Sequence, residues 1–275
     1  MRRAASLIAL VALLAAGCGG GSKAQGVLSD TAGNLGKLRS GDLTLRLVVS
    51  PRTGTKGRIG FELRGPFALR KGSLPIAKIA YTQIAGAHEA TATFISTGAK
   101  AYAEVNGKAY ELPAATADSL RQAAGGSSDS NTFGQLRIDN WVKNPAVSDG
   151  GDVGGAPTTH VSGPLDLVAA ANGLLDLVRQ LGRAAPKLEG NQAKTLEDAV
   201  KSSRFDLWSG TKDHLLRRLL LKADLGLAVP ESLRRVLGNV VGAKIDFELA
   251  VSHPNEAVSV APPTNPLPSS QLPGG

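Results

Sequence analysis

Cys18 is the only cysteine in the 275 residues, so the chain has no thiol pair for a disulfide and no cysteine cluster for a metal. There are four histidines, His88, His160, His214 and His253, and no two stand at a zinc-ligand spacing. His160 lies two residues from Ser162 on a stretch that reads as a strand, where residues two apart share a face. A nucleophile and base in that relation need a third group to orient the base, and none is evident. His88-Glu89 has no second histidine behind it. The chain holds no G-x-S-x-G elbow and no H-E-x-x-H helix. Its doublets Gly150-Gly151 and Gly154-Gly155 match neither phosphate-loop pattern. The expectation is a protein that is not an enzyme and that holds no metal or resident cofactor.

The chemistry of Cys18 comes from its position. Met1-Arg2-Arg3 precedes an apolar run from Ala4 to Gly17, which is 14 residues long. A bilayer span needs about 20 residues, so the run reads as a secretory signal peptide over residues 1–17. Leu14-Ala15-Ala16-Gly17-Cys18 resembles a bacterial lipobox, with Ala15 where leucine is usual. In such signals the cysteine is acylated, with palmitate-type chains, and becomes the first residue of the mature chain. The other reading is an ordinary secretory signal that contains a cysteine. Gly19-Gly20-Gly21-Ser22 follows and reads as part of a flexible tether over residues 18–24. Each buried methylene is worth about 0.8 kcal/mol, so several acyl chains anchor stably where one does not. The resulting expectation is a protein lipid-anchored to the cell membrane on its extracytoplasmic face.

Composition supports a folded chain. Hydrophobic residues are 42%, charged residues 20% and aromatics 4%, which excludes a wholly disordered or collagen-like protein. The net charge is +8; removal of Arg2 and Arg3 leaves 29 basic against 23 acidic residues, or +6. That balance suits an anionic membrane surface. Arg217-Arg218 and Arg234-Arg235 are isolated doublets without interleaved aromatics, so no nucleic-acid partner is expected.

Apolar periodicity places the elements. Val27, Leu28, Leu35 and Leu38 have helical spacing. Leu43, Leu45 and Leu47 then alternate with Thr44, Arg46 and Val48, as in a strand. Ile59, Phe61 and Leu63, then Ala77, Ile79 and Tyr81, then Ala92 and Phe94 repeat the pattern. Asn106-Gly107 suits a type I′ hairpin, so residues 42–112 read as an antiparallel meander. Residues 114–124 read as a helix, and Leu136, Ile138 and Trp141 fall in a segment of undetermined type. Asn144 to Pro157, rich in Gly, Asp and Pro, reads as a mobile loop. Thr158 to Ser162 is a short strand. Gly163-Pro164 opens a helix with Leu167, Ala171, Leu174, Val178 and Leu181 on one face. A second helix runs from Asn191 to Ser202. Strands follow around Phe205 and Leu207 and from His214 to Leu225, then a short helix from Pro230 to Leu237. Ile245, Phe247, Leu249 and Val251 form a last strand with one apolar face. The expected domain is 25–253, followed by an extended, mostly disordered Pro-rich tail over 254–275.

A family resemblance rests on the order of these pieces. A lipobox precedes a short helix and a meander. Then come Thr159-His160-Val161-Ser162-Gly163-Pro164-Leu165-Asp166, Phe205-Asp206-Leu207-Trp208 and Leu215-Leu216-Arg217-Arg218-Leu219. The chain resembles the actinobacterial lipoproteins of the LppX/LprA/LprF/LprG group, which share the LolA/LolB-like fold. It departs from the pattern at Ser209-Gly210, where an acidic turn residue usually stands sooner. The resemblance implies an α+β fold: a curved antiparallel sheet, or half-barrel, with helices packed on its concave face. It also implies an apolar cavity between them for the acyl chains of a lipid or glycolipid, which the protein carries within the envelope. An envelope transporter is a candidate partner, and no catalytic residue comes with the family.

Candidate cavity-lining residues are Phe61, Ile79, Tyr81, Phe94, Leu174, Val178, Phe205, Ile245, Phe247 and Leu249; each also suits an ordinary core. A helix cover that seals the sheet makes a plain core, and one that stands off makes a pocket. The competing reading is an envelope sensor or protein-interaction module on the same fold. Bound lipid distinguishes the two.

Overall fold

The computed structural model describes residues 20–52, 57–86, 88–124, 134, 136–180, 184–226 and 242–271. The alternation of Leu43, Leu45 and Leu47 falls on β1 (Ser40–Pro51). The meander continues through β2 (Ile59–Ala68), β3 (Ile76–Ala85), β4 (His88–Thr97), β5 (Ala101–Val105) and β6 (Lys108–Glu111). Asn106 and Gly107 turn β5 into β6 with φ of 51° and 74°, the two positive values a type I′ turn needs.

The second half begins with α2 (Ala114–Ala124) and a 3-10 turn at Ile138–Asn140. Next come β7 (Ala146–Val153), β8 (Ala156–Gly163), α3 (Leu167–Gln180), α4 (Gly190–Ala199), β9 (Val200–Gly210), β10 (Leu216–Leu225) and β11 (Ala243–Ser252). All strands join one curved, unclosed 11-stranded antiparallel sheet, in the order β6-β5-β4-β3-β2-β1-β11-β10-β9-β8-β7. Two meanders therefore meet at their first and last strands. Leu45 pairs with Leu249 and Leu47 with Phe247 at that seam. The α+β class and the antiparallel sheet match the sequence expectation.

Several local expectations are corrected. Asn144 to Pro157 is not a loop: most of it forms β7 and the start of β8. Gly154 and Gly155 supply φ of 61° and 82° at the turn between them, so the glycine-rich composition encodes a hairpin. The expected tether also shortens. Helix α1 (Gly20–Asn34) already includes residues 20–24, because fully buried Ala24 and Leu28 seat it in the core. Pro164 does not open α3. Leu165 bridges to Val142, and Asp166 caps the helix by accepting from the Ala169 N–H at 3.0 Å. Helix α4 stops at Ala199 because β-branched Val200 turns extended to start β9 opposite Leu225. His214 takes φ 51° in the β9–β10 turn, outside the strand. The helix expected at Pro230–Leu237 lies outside the described residues.

The tail differs most from its expectation. Asn255 N–H donates to the Ser40 carbonyl at 2.9 Å, and Asn255 Oδ1 accepts from Arg39 N–H at 2.8 Å. Farther on, Leu267 pairs in parallel with Tyr110 of β6, donating to Ala109 O and accepting from Glu111 N–H, both at 2.8 Å. The tail is extended, as its prolines require, but its non-proline amides tie it to the sheet. It shields the edge strand β6 from pairing with another chain. The opposite edge, β7, is interrupted by a bulge between Asp149 and Gly151.

The main core lies on one face of the sheet, under α1 and the 3-10 turn. Leu28 and Leu35 of the α1 region, with Ile138 and Trp141, pack on Val161, Phe205, Leu207 and Leu219. Trp141 lies close against Gly173 of α3, where an added methyl group would come within 2.8 Å of the indole. A second cluster joins Leu175 of α3, Leu188 of the α3–α4 connection, Leu196 of α4, and Ala223 and Leu225 of β10.

Candidate functional site

Strand register puts every expected strand residue of the cavity on the same, helix-facing side. One transverse row runs Val147, Val161, Leu207, Leu219, Leu249, Leu45, Leu63, Tyr81, Ala92, Val105, Lys108. The next row contains Phe205, Leu221, Phe247, Leu47 and Phe61. Ile79 pairs with Phe94 on the same side, and Ile245 pairs with Val49.

Burial divides these residues. Phe205, Phe247 and Leu249 are buried in the core beneath the helices. Ile245 is half-buried against the α3–α4 cluster. On β1–β4, Leu45, Leu47, Phe61, Leu63, Ile79 and Phe94 are only half-buried, and Tyr81 is 39% exposed. Along the first row the side chains pass from full burial at Leu207 to exposure at Tyr81. Leu174 and Val178 of α3 are half-buried, and Leu174 packs against the main core from the helix side. Together these residues form a half-buried apolar surface on β1–β4, continuous with the core.

This surface has unlike ends. At the end reached by the start of β1, Phe67 and Ala77 are buried against Leu35 and Leu38, so this end is sealed. At the other end lie the β3–β4 turn and the start of β9, where His88 and Lys201 stand exposed on the helix-facing side of strands far apart in the sheet; exposed Lys108, on the edge strand β6, is level with Leu45 and Tyr81 in the first row. Cys18 lies outside the described residues.

The opposite sheet face carries a polar cluster that sequence reading missed. His160 Nε2 lies 2.9 Å from Asp206 Oδ1, and its Nδ1 lies 3.2 Å from Ser148 Oγ. The orienting group is thus Asp206 and the serine is Ser148, not Ser162. The register His160 opposite Ser148, with Asp206 opposite Ser162, produces this grouping only once β7 is recognised as a strand. Arg204 donates to both Asp206 oxygens at 2.5 and 2.9 Å. The imidazole stacks on Trp208 with centroids 4.5 Å apart, and the Arg218 guanidinium lies 5.7 Å from the same ring. Burial disfavours the Asp206 carboxylate, but hydrogen bonds from Arg204 and His160 outweigh it and hold the carboxyl below its ordinary range. The cluster reads as a lock between β7, β8 and β9. No group of metal-ligating side chains gathers among the described residues.

No described helix is long and apolar enough to cross a membrane. No family model matches the chain, and no curated protein does. Among solved structures, LprF from Mycobacterium bovis is similar at 17% identity, over 89% of this chain and 99% of that one, with a TM-score of 0.42. MucB in complex with MucA(peri) is similar at 12% identity, over 88% of this chain and 62% of that one, with a TM-score of 0.22. Both are distant likenesses.

Proposed function

We propose that the chain is an envelope lipoprotein, anchored through acylated Cys18 at the extracytoplasmic face of the cell membrane. It binds a lipid or glycolipid against the apolar surface on β1–β4 and carries it within the envelope. The observation that carries this reading is the row from Leu207 to Tyr81, apolar along its length yet progressively uncovered. Leaving apolar surface in water costs about 25 cal/mol per Å², and a contiguous patch of this kind marks an interaction site. Its lining of leucine, isoleucine and phenylalanine suits acyl chains, which need contact area and no hydrogen-bond partners.

Native mass spectrometry of the full chain purified from its own envelope tests the reading. The expected result is copurified lipid, lost in Phe61→Glu and Phe94→Glu variants that keep the wild-type far-ultraviolet circular dichroism. A lipid-free wild-type protein that also fails to bind a fluorescent fatty acid would remove the proposal.

A further inference from the structure

Three apolar side chains are buried on the sheet face opposite α1, α3 and α4. Alternation puts Ile95 and Tyr102 behind Phe94 and Ala103, and Ile76 behind Ala77. Ile95, Tyr102 and Ile76 are 3%, 5% and 7% exposed, and none belongs to the helix-side core. Ile95 and Tyr102 are cross-strand partners, and Ile76 shares a row with Ser40 through Ala68. The tail is tied at both margins of this strip. Ser40 Oγ, on the same face, donates to Glu256 O at 2.6 Å, and Leu267 pairs with Tyr110 of β6. Residues 256 to 267 reach about 34 Å as an extended proline-rich chain. The strand spacings from β1 to just beyond β6 come to about 29 Å, so the tail crosses the strip almost straight. Val258 and Val260 are half-buried while Ala257, Ser259 and Ala261 are exposed, the alternation of an extended segment with one side against a surface.

Two features make this contact exchangeable. Between residues 257 and 266 the tail forms no backbone hydrogen bond with the sheet among the described residues, and Pro262, Pro263 and Pro266 have no N–H to offer. The turn that aims the tail back across the sheet is strained. His253 and Asn255 hold φ of 49° and 65° on either side of Pro254, and the Glu256 N–H closes the turn on the His253 carbonyl at 3.2 Å. We infer that the strip is a docking site for an extended proline-rich segment, and that the tail of a second copy of this chain fills it by reciprocal exchange. Each strip then receives the same Val258 and Val260 contacts from its neighbour. The opened hinge meanwhile releases the left-handed backbone at His253 and Asn255. A short hinge under strain favours this route to a dimer.

The test uses full-length chains carrying Gln271→p-benzoylphenylalanine, a photoreactive probe in the short 3-10 turn beside β6. One batch is labelled with heavy nitrogen, mixed with a light batch, equilibrated and photolysed. Cross-links from position 271 to β6 are expected both within one isotope and between light and heavy chains, with the heavy–light share rising with chain concentration. A His253→Gly/Asn255→Gly variant adopts the turn without strain and is expected to lower that share about tenfold. Val258→Asp/Val260→Asp is expected to lose cross-links of both kinds while keeping the wild-type far-ultraviolet circular dichroism. Cross-links confined to one isotope at every concentration overturn the exchange. The absence of any link to β6, or links unaltered by the aspartates, overturns the docking strip itself.

Discussion

Leu207 and Tyr81 stand in the same transverse row of one sheet face, yet Leu207 is fully buried and Tyr81 is 39% exposed. Helices α1, α3 and α4 pack with the core and with β7–β11, and the β2–β4 half carries the same apolar pattern with less cover. The two positions should answer truncation differently. Leu207→Ala is expected to cost about 2–5 kcal/mol, because it leaves a cavity in the packed core. Tyr81→Ala should cost less than about 1 kcal/mol and instead weaken binding of a fluorescent fatty acid. Urea unfolding of both variants checks this, and equal losses of stability would contradict the exposure gradient.

The Asp206 cluster sets an acid limit on stability. Its folded-state carboxyl lies below the ordinary range, so its contribution is complete above the unfolded value near 3.8 and fades as pH falls through the folded value. Asp206→Asn is expected to lose roughly 1–3 kcal/mol at neutral pH, since His160 and Arg204 lose a charged acceptor. The gap to wild type should narrow on acidification below the ordinary carboxylate range. Unfolding midpoints measured at neutral pH and in that acid range decide the matter; a gap that widens in acid would refute the sign.

Arg217 is 5% exposed and donates to Asp213 Oδ2 at 2.6 Å. Burial works against the charged Asp213 carboxyl, but the Leu215 N–H and Arg217 overcome it and hold its pKa below the ordinary value. Asp213→Ala should destabilise by about 2 kcal/mol, because it strands a buried cation; the part-exposed carboxylate keeps the loss below that of a fully buried pair. Asp213→Glu should recover part of the loss, as read by thermal unfolding.

Leu267→Pro removes the donor to Ala109 O and loosens the tail from β6. Amide exchange at Glu111, whose N–H donates to Leu267 O, is expected to accelerate with little change in global stability. The freed edge should raise the tendency to self-associate, measured by light scattering. Unchanged exchange at Glu111 would mean the strap does not hold the edge.

Much of the sheet was legible because alternation is a local signal. Leu43, Leu45 and Leu47, the Asn106-Gly107 turn and Ile245 to Val251 each declare a strand or hairpin within a few residues. The seam between Leu45 and Leu249 is not local, and nothing near either residue specifies its partner. The β7–β8 hairpin was hidden because an edge strand needs few apolar residues, and its Gly-Gly turn has the composition of a loop. That error also hid Ser148 and Asp206, whose meeting at His160 depends on the missing strand. The cavity candidates were legible as one face. Their division into core and open surface was not, because it depends on where the helices lie.

The seam between β1 and β11 also governs when the protein can fold. The sheet's central pairing joins segments from near the two ends of the described chain, so neither meander can gain its inner neighbour until β11 is available. Contacts of such high sequence separation form slowly, because loop closure must precede any return from pairing. A chain emerging from its amino end therefore stays incomplete through most of its synthesis. Until β11 is made, the first meander has an open inner edge at β1, so the last strand completes the sheet.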